Sequence, residues 1–328
     1  MNVGYVFRRL LDMNYKSMLQ KVNSVHKKTG RSRLWVIWDM RRCAVNYGAG
    51  YMDYDLFEMY NLTPEQRDTY ITRGRNNDLV KKYNDMSYGH LLRNKGEFNS
   101  HFQEYLGREW TYLKDRDQAL DFMSRHSVFM AKPMNGMCGK GIEKIHMDQE
   151  TSADAVWERL NANGEYLLEE VIRQHPQVSS IYPNAINTVR TVTIRKDGVT
   201  HIVCTYFRIG NHGHHVDNFN SGGMVAPVDE KTGIVADRAI DKTKVLYENH
   251  PATGTPIKGF QFPDWEKAMD MVRRASQVIP QLGYLGWDIA FTENGPVLVE
   301  GNEYPGHDIY QLPEHTPNKI GIMDKFRV

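Results

Sequence analysis

Two apolar segments near the C-terminal end, each carrying one acidic residue, constrain the fold of this chain most strongly. Asp288 lies in the first segment and Glu300 in the second, with Asn294-Gly295 between them. Asn-Gly between two such segments predicts a β-hairpin, and a turn at Asn294 brings Asp288 opposite Glu300. Asn302 shares their face, because side chains alternate along a strand.

The three side chains on this face offer hard oxygen ligands. Facing carboxylates repel each other, so the arrangement requires a cation between them. Mg²⁺ held by one or two carboxylates and by substrate phosphates meets that requirement. The alternative is a salt-bridged surface hairpin, but apolar Ile289 and Val297 indicate buried strands. We therefore predict a metal site formed by Asp288, Glu300 and Asn302.

A glycine-rich loop at residues 134–141 lies between two predicted strands. Glycines let the backbone approach a ligand, and consecutive N–H groups can cradle phosphate oxygens. It is not a Walker loop, because the Gly-Lys-Ser/Thr ending is missing and no helix opens after it. Lys132 on the preceding strand could reach phosphates as a point charge. Taken alone, a structural hairpin and a surface lysine explain this segment equally well.

Three further groups of polar residues lie in the strand-rich half. The strand 166–172 carries Glu169 and Glu170, which either hold ribose hydroxyls or form a solvated strand end. Arg190 and Arg208 lie on central strands. An arginine there binds a phosphoryl group, a substrate carboxylate or a structural ion-pair partner. The His-rich stretch 212–215 is a poor zinc site because neighbouring loop residues rarely converge on one ion. It fits better in a polar loop, 210–223, that borders an acceptor site.

The charge balance and the cysteines limit the class of protein. The 328 residues carry 41 basic and 40 acidic side chains, and a nucleic-acid-binding protein usually has a basic excess. No apolar run approaches the roughly 18 residues of a membrane span, and we recognise no signal peptide. Three separated cysteines predict reduced thiols in a cytoplasmic protein.

The first 33 residues are strongly basic, with eight Lys/Arg against one acid. Apolar residues recur there at helical spacing, which predicts an amphipathic helix or helix pair. Its basic side is either a solvated face or a surface that contacts an anionic membrane or a polyanion. The oligomeric state is not predicted.

The composition divides the chain near residue 126 and predicts an α+β fold. Residues 1–126 are expected to be largely helical, with helices starting at Pro64, Lys95 and Arg116. Residues 127–328 are expected to be strand-rich, with a smaller lobe at 127–172 and a larger one at 173–328 that carries the hairpin.

In their order along the chain, these segments resemble the ATP-grasp superfamily. The stretch from Asp217 through Gly223 to Gly233, together with Glu300-Gly301-Asn302, is similar to the sugar-transfer-associated ATP-grasp group, which is related to α-L-glutamate ligases. The resemblance implies the ATP-grasp fold, in which two β-rich lobes clamp ATP, with ATP and Mg²⁺ as cofactors. It is weakest in the helical N-terminal third, which lacks a glycine-rich βαβ pattern, so the acceptor site does not carry over.

The resemblance also implies roles for individual residues. Arg190 would lie near the γ-phosphate and the acceptor, and Arg208 is the second residue that we assign to catalysis. The residues implied to bind ATP are Lys95, Lys132, Gly136, Gly139, Lys140, Gly141, Glu169 or Glu170, Val171 and Ile172. Mg²⁺ would be held by Asp288, Glu300 and Asn302. The loop at the substrate would comprise Asp217, Asn218, Asn220, Ser221, Gly222 and Gly223.

The function that follows is an ATP- and Mg²⁺-dependent ligase joining a carboxylate to an amine through an acyl-phosphate. The group's association with sugar transfer suggests amidation of a uronic acid or addition of an amino acid to a cell-surface precursor. A small-molecule kinase acting on a hydroxyl would use the same phosphate and metal residues. A nucleotide-binding module without catalysis is a third alternative, against which the intact set of polar residues argues.

Overall fold

The computed structural model describes residues 14–135, 141–150, 152–211, 217, 219 and 222–327. Helices dominate the first third of this part of the chain. The α-helices of all the described residues are α1 (Tyr15–Thr29), α2 (Arg33–Tyr47), α3 (Tyr51–Leu56), α4 (Pro64–Asp68), α5 (Arg73–Tyr83), α6 (His90–Arg93), α7 (Lys95–His101), α8 (Arg116–Arg125), α9 (Ala153–Ala162), α10 (Pro176–Ser179) and α11 (Trp265–Val278). Short 3₁₀ helices lie at Met59–Asn61, Met86–Tyr88, Gln103–Tyr105, Met147–Gln149, Ile309–Gln311, Pro313–His315 and Met323–Phe326.

The predicted helix starts at 64, 95 and 116 are confirmed, and local capping explains each of them. Thr63 accepts a hydrogen bond from the backbone N–H of Gln66, whose side chain accepts one in return from the N–H of Thr63. Asn94 caps α7 and Asp115 caps α8 through their side-chain oxygens. These bonds satisfy N–H groups that have no partner inside the helix.

Strands predominate after residue 127. The strands of the described residues, of which the first precedes residue 127, are β1 (Trp110–Tyr112), β2 (Val128–Pro133), β3 (Glu143–His146), β4 (Tyr166–Glu170), β5 (Thr188–Lys196), β6 (Val199–Ile209), β7 (Met224–Val228), β8 (Ala239–Asp241), β9 (Leu246–Tyr247), β10 (Tyr284–Thr292) and β11 (Gly295–Asn302). All the strand pairs are antiparallel. They form a small sheet in the order β1-β4-β2-β3 and a large sheet in the order β11-β10-β5-β6-β7-β8-β9.

Among the described residues, one compact unit comprises residues 14–79 and 306–327. Its apolar core includes Val22, Val36 and Tyr54. The C-terminal segment is bound within this unit by His307, whose Nε2 lies 2.9 Å from Asp53 Oδ1.

The other compact unit comprises residues 80–305 and contains both sheets. Helices α8 and α9 cover the small sheet, and α11 packs against β5, β6, β10 and β11 of the large one. These limits differ from the division at residue 126 that composition predicts. The reason is pairing: β1 precedes residue 126, yet Trp110–Tyr112 pairs with β4 of the small sheet.

Within the described ranges, no helix combines the length and the apolar character needed to cross a bilayer. Cys43 and Cys204 are both buried free thiols.

Candidate active site

The C-terminal hairpin has the predicted register. Asp288 on β10 is opposite Glu300 on β11, and Gly286 is opposite Asn302. The pairing shifts just after Asp288, where a bulge interrupts the ladder. The bulge leaves the 288–300 pair in register and offsets the rest of the hairpin by one residue.

Two arginines from neighbouring strands bind the buried carboxylate of Asp288. Arg190 on β5 donates from Nε to Oδ1 and from Nη2 to Oδ2, the latter over 2.8 Å. Arg208 on β6 donates to Oδ2 over 2.7 Å. Glu300 is more distant, with its Oε1 3.7 Å from Arg190 Nη2. The two arginines predicted as catalytic therefore meet the predicted metal ligands in one cluster.

The two facing carboxyls differ in their affinity for a proton. Burial raises the pKa of Asp288, but the charges of Arg190 and Arg208 outweigh that effect and hold it below its usual range. Burial, the charge of Asp288 and a hydrogen bond to Asp288 raise the pKa of Glu300 to about 7. Since 54% of the Glu300 side chain is exposed, we attribute its raised pKa mainly to the facing carboxylate of Asp288 and less to burial.

These residues fit a divalent cation. The arginines occupy three of the roughly four lone-pair positions of the Asp288 carboxylate, so one position remains for a metal ion or for the hydrogen bond to Glu300. A cation between the two carboxyls would relieve the repulsion from Asp288 that contributes to the raised pKa of Glu300. Asn302 donates from Nδ2 to Gly286 O over 3.4 Å, which leaves its amide oxygen for another partner. No group of three or more His, Cys, Asp or Glu suited to a metal occurs in the described part of the chain.

A second charged cluster lies on the small sheet around Glu169, which is 2% exposed. Its Oε2 accepts hydrogen bonds from Lys132 Nζ at 2.5 Å and Arg108 Nε at 3.0 Å, and its Oε1 accepts one from Asn99 Nδ2 at 2.9 Å. Burial raises the pKa of Glu169, but the positive charges of Lys132 and Arg108 outweigh that effect and lower the pKa below its usual range. Glu169 therefore fixes Lys132 in the interior, a geometry that suits positioning better than contact with a ribose.

Lys95 connects the two clusters electrostatically. Its Nζ donates to Pro133 O over 2.9 Å, at the end of the strand that carries Lys132. Burial and the positive charge of Lys132 lower its pKa, against the opposing charges of Glu300 and Glu169. Two half-buried ammonium groups that disfavour each other are chemically suited to an anion such as phosphate, although Glu169 already pairs with Lys132.

The remaining predicted ATP contacts lie at the ends of the small-sheet strands. Glu170 is half-buried, and its Oε2 accepts a hydrogen bond from the N–H of Glu109 at 3.3 Å. Val171 and Ile172 are half-buried beyond the end of β4. Gly141 has a φ of 75°, which favours glycine, while Gly136, Gly139 and Lys140 lie outside the described residues.

The predicted substrate loop meets the arginine cluster at Asp217. Its Oδ1 lies 3.2 Å from Arg208 Nη2, and its Oδ2 accepts hydrogen bonds from the backbone and side chain of Thr188. Gly222 has a φ of 95°, which favours glycine. A Cβ on Gly223 would lie 2.5 Å from the backbone oxygen of Asp217, so glycine is required there as well. Asn218, Asn220 and Ser221 lie outside the described residues.

Arg108, Asn99 and Thr188 are site residues that sequence reasoning missed. Each contacts a predicted residue from an element distant along the chain: Arg108 and Asn99 contact Glu169, and Thr188 contacts Asp217. Nothing in the sequence around them indicates these pairings. A buried arginine beside a buried glutamate becomes visible only once β1 and β4 are known to pair.

Comparison with known proteins gives one strong match. The family model described as sugar-transfer associated ATP-grasp matches residues 74–319. No curated protein matches the chain.

Similar solved structures include three enzymes at low identity. An ADP complex of N5-carboxyaminoimidazole ribonucleotide synthetase has 13% identity and a TM-score of 0.43, and the match covers 66% of this chain and 46% of that chain. D-alanyl-alanine synthetase A from Vibrio cholerae has 12% identity and a TM-score of 0.43, and the match covers 72% of this chain and 63% of that chain. The ATP-grasp ligase PsnB with minimal precursor, Mg and ADP has 12% identity and a TM-score of 0.43, and the match covers 75% of this chain and 62% of that chain. The chain thus spans between 46% and 63% of the length of these structures. Likeness at this level carries no conclusion about activity.

Proposed function

Because the chain belongs to the sugar-transfer associated ATP-grasp family, we propose that it is an ATP- and Mg²⁺-dependent ligase that joins a carboxylate to an amine. The observation that carries the proposal is the cluster at Asp288, where facing carboxylates and two arginines lie on adjacent strands of one sheet. Carboxylate oxygens suit Mg²⁺, and guanidinium groups suit a phosphoryl group or a substrate carboxylate.

The proposed reaction has two balanced steps. An oxygen of the acceptor carboxylate forms a bond to the γ-phosphorus of ATP, and ADP leaves, giving an acyl-phosphate. The amine nitrogen then forms a bond to the acyl carbon and loses a proton, and phosphate leaves. Proteins assist such transfers mainly by positioning and by electrostatic stabilisation.

The described residues divide these tasks. Lys95 and Lys132 would bind the ATP phosphates, with Glu169 and Arg108 fixing the position of Lys132. Glu170, as the half-buried member of the acidic pair, is our choice for the ribose contact.

On the large sheet, Arg190 and Arg208 would orient the reacting oxygens and balance charge as the phosphoryl group moves. Mg²⁺, held by Asp288, Glu300 and Asn302, would supply charge neutralisation on the phosphates. Asp217 would hold Arg208 in place at the border of the acceptor site.

The proposed acceptor follows from the family to which the chain belongs. The family description associates the chain with sugar transfer, so we place a carboxylate on a sugar or on a glycan precursor first among the candidate acceptors.

Calorimetry with MgATP is the first test. Glu300→Gln removes one ligand charge, and Asp288→Asn/Glu300→Gln removes both; the double change should weaken Mg²⁺-dependent binding at least tenfold, about 1.4 kcal/mol. Asp270→Asn, a 69% exposed carboxylate on α11, is the matched control and should bind as the wild type does. Wild-type protein that binds no MgATP, or a folded double variant of unchanged affinity, contradicts the proposal.

The reaction type is tested next by ADP release with a panel of carboxylates and amines. Hydroxylamine in place of the amine should trap the acyl-phosphate as a hydroxamate. ADP formed without any amine, together with a stable phosphorylated alcohol, would identify a kinase instead. Tight MgATP binding without turnover on any acceptor would favour a non-catalytic nucleotide-binding module.

A further inference from the structure

Helix α2 is apolar on two opposite sides, which is unusual for a helix at a protein surface. Val36, Met40 and Cys43 are buried in the core of the N-terminal unit. On the outward side, Leu34 is 81% exposed and Trp38 is 52% exposed. An amphipathic helix normally buries its apolar stripe and presents polar residues to water.

The outward apolar residues form one continuous face. The spacing of three and four residues that aligns side chains on one side of a helix is followed by the apolar residues Leu34, Ile37, Trp38 and Val45. Arg41 lies on the same side, between Trp38 and Val45. From Leu34 to Val45 this outward face extends over about 16 Å of helix. It is the kind of exposed apolar surface that marks a contact with a partner or a membrane.

Helix α11 of the same protein shows the ordinary pattern. Its buried side carries apolar residues such as Met269 and Val272. Its exposed residues are all polar and carry both signs of charge: Glu266, Lys267, Asp270, Arg273, Arg274 and Gln277. The outward face of α2 therefore differs from the exposed face of α11.

The charges around the outward face are all of one sign. Arg33, Arg41 and Arg42 are exposed on α2, and the guanidinium of Arg42 lies 4.9 Å from the centre of the Trp38 ring. The single acid on α2 is Asp39, which is 2% exposed and bound by Arg67. The part of the chain that the structure describes supplies no acidic partner to these three arginines.

Helix α1 adds more positive charge without any acid. Lys16 and Lys27 are exposed on it, and residues 15–38 contain no Asp or Glu. Lys21 and Lys28 of the same helix are paired with Asp55, at 2.7 Å and 3.6 Å. Tyr15 and Leu19 are about half exposed, so α1 repeats the combination of lysine and apolar residues found on α2.

We infer that the outward face of α2 docks on an anionic lipid surface, with Leu34, Ile37 and Trp38 entering the interface and Arg33, Arg41 and Arg42 meeting lipid phosphates. Helices that lie in a membrane interface combine arginine or lysine with tryptophan and leucine in this way. A second copy of the chain fits less well, because a two-fold contact would place the arginines of one face against those of the other. Nucleic acid fits less well because Leu34, the most exposed of the large apolar side chains in the described part, would meet phosphates. This inference is independent of the proposed ligase activity.

The test is flotation of the full chain with lipid vesicles. We expect binding to phosphatidylcholine vesicles that contain phosphatidylglycerol, weak binding to phosphatidylcholine alone, and release as salt is raised. Arg41→Gln/Arg42→Gln should weaken binding about 25-fold, at about fivefold for each arginine. Leu34→Ser/Trp38→Ser should abolish it. All four positions are exposed, so the variants should retain the fold, which circular dichroism checks.

Matched controls come from exposed positions elsewhere. Arg273→Gln/Arg274→Gln removes two neighbouring arginines from α11, and Val199→Ser removes a 56% exposed apolar side chain. Both should bind vesicles as the wild type does. Wild-type protein that stays unbound with both vesicle types overturns the inference, as do α2 variants that bind like the controls. A concentration-dependent dimer, seen by sedimentation and lost in Leu34→Ser/Trp38→Ser, would assign the face to a second copy instead.

Discussion

Asp288 and Glu300 face each other across β10 and β11, yet only Asp288 lies within hydrogen-bonding distance of the arginines. The carboxylate of Asp288 is 3% exposed, whereas 54% of the Glu300 side chain is exposed. One member of the pair is thus part of the interior, and the other is open to a ligand. This asymmetry separates the effects of the two residues on stability from their effects on binding.

Asp288→Asn should destabilise the fold far more than Glu300→Gln. Removing Asp288 leaves two largely buried guanidinium groups without their main partner, which costs about 3–5 kcal/mol. Removing the charge of Glu300 relieves its repulsion with Asp288 and should change stability by less than about 1 kcal/mol. Denaturant unfolding of both variants measures the difference, with Asp270→Asn as a surface control. Equal destabilisation by the two changes would contradict this account.

Glu169→Gln should reduce the dependence of stability on acid pH. The pKa of Glu169 is lowered in the folded protein from its ordinary value of 4.5, so the unfolded state takes up the proton first as the pH falls. The stabilisation is therefore present above about pH 5 and is lost as the pH falls below the unfolded value. The variant should be less stable at neutral pH and show a flatter profile as the pH falls from about 5 toward 2. A variant whose profile parallels that of the wild type would refute the charge assignment.

Lys95→Met and Lys132→Met should both weaken nucleotide binding but differ in stability. Lys132 neutralises buried Glu169, so its loss should destabilise the protein by roughly 1–3 kcal/mol. Burial and Lys132 disfavour the charge of Lys95, so its loss should be nearly neutral. Lys144→Met, on the exposed side of β3, is the control for both measurements. An unchanged MgATP affinity in Lys95→Met would remove Lys95 from the site.

Cys43 should resist alkylation in the native protein. It is fully buried in the N-terminal core, and burial raises the pKa of its thiol to about 12. Because the thiolate is the reactive form, iodoacetamide at pH 8 should label Cys43 only after unfolding. Peptide mapping with and without urea provides the measurement, and rapid labelling of Cys43 in the folded chain would show that this core opens.

Local signals in the sequence determined several parts of this structure. The turn at Asn294 was the signal for the hairpin, which closes through the two-residue loop Glu293-Asn294 with Thr292 opposite Gly295. The bulge after Asp288 then sets the pairing of Asp288 with Glu300. The helix starts at Pro64, Lys95 and Arg116 follow from the capping residues directly before them. In each case the determining residues are close together along the chain.

Only the tertiary structure decided which charges meet. Arg190 and Arg208 were recognised as strand arginines, but their shared partner Asp288 follows from the order β10-β5-β6 in the large sheet. Likewise, Arg108 and Asn99 reach Glu169 across 61 and 70 residues of chain. Such contacts depend on how sheets assemble and on which carboxylate is buried. Local rules do not contain that information, because any arginine on a strand looks the same until its neighbouring strand is known.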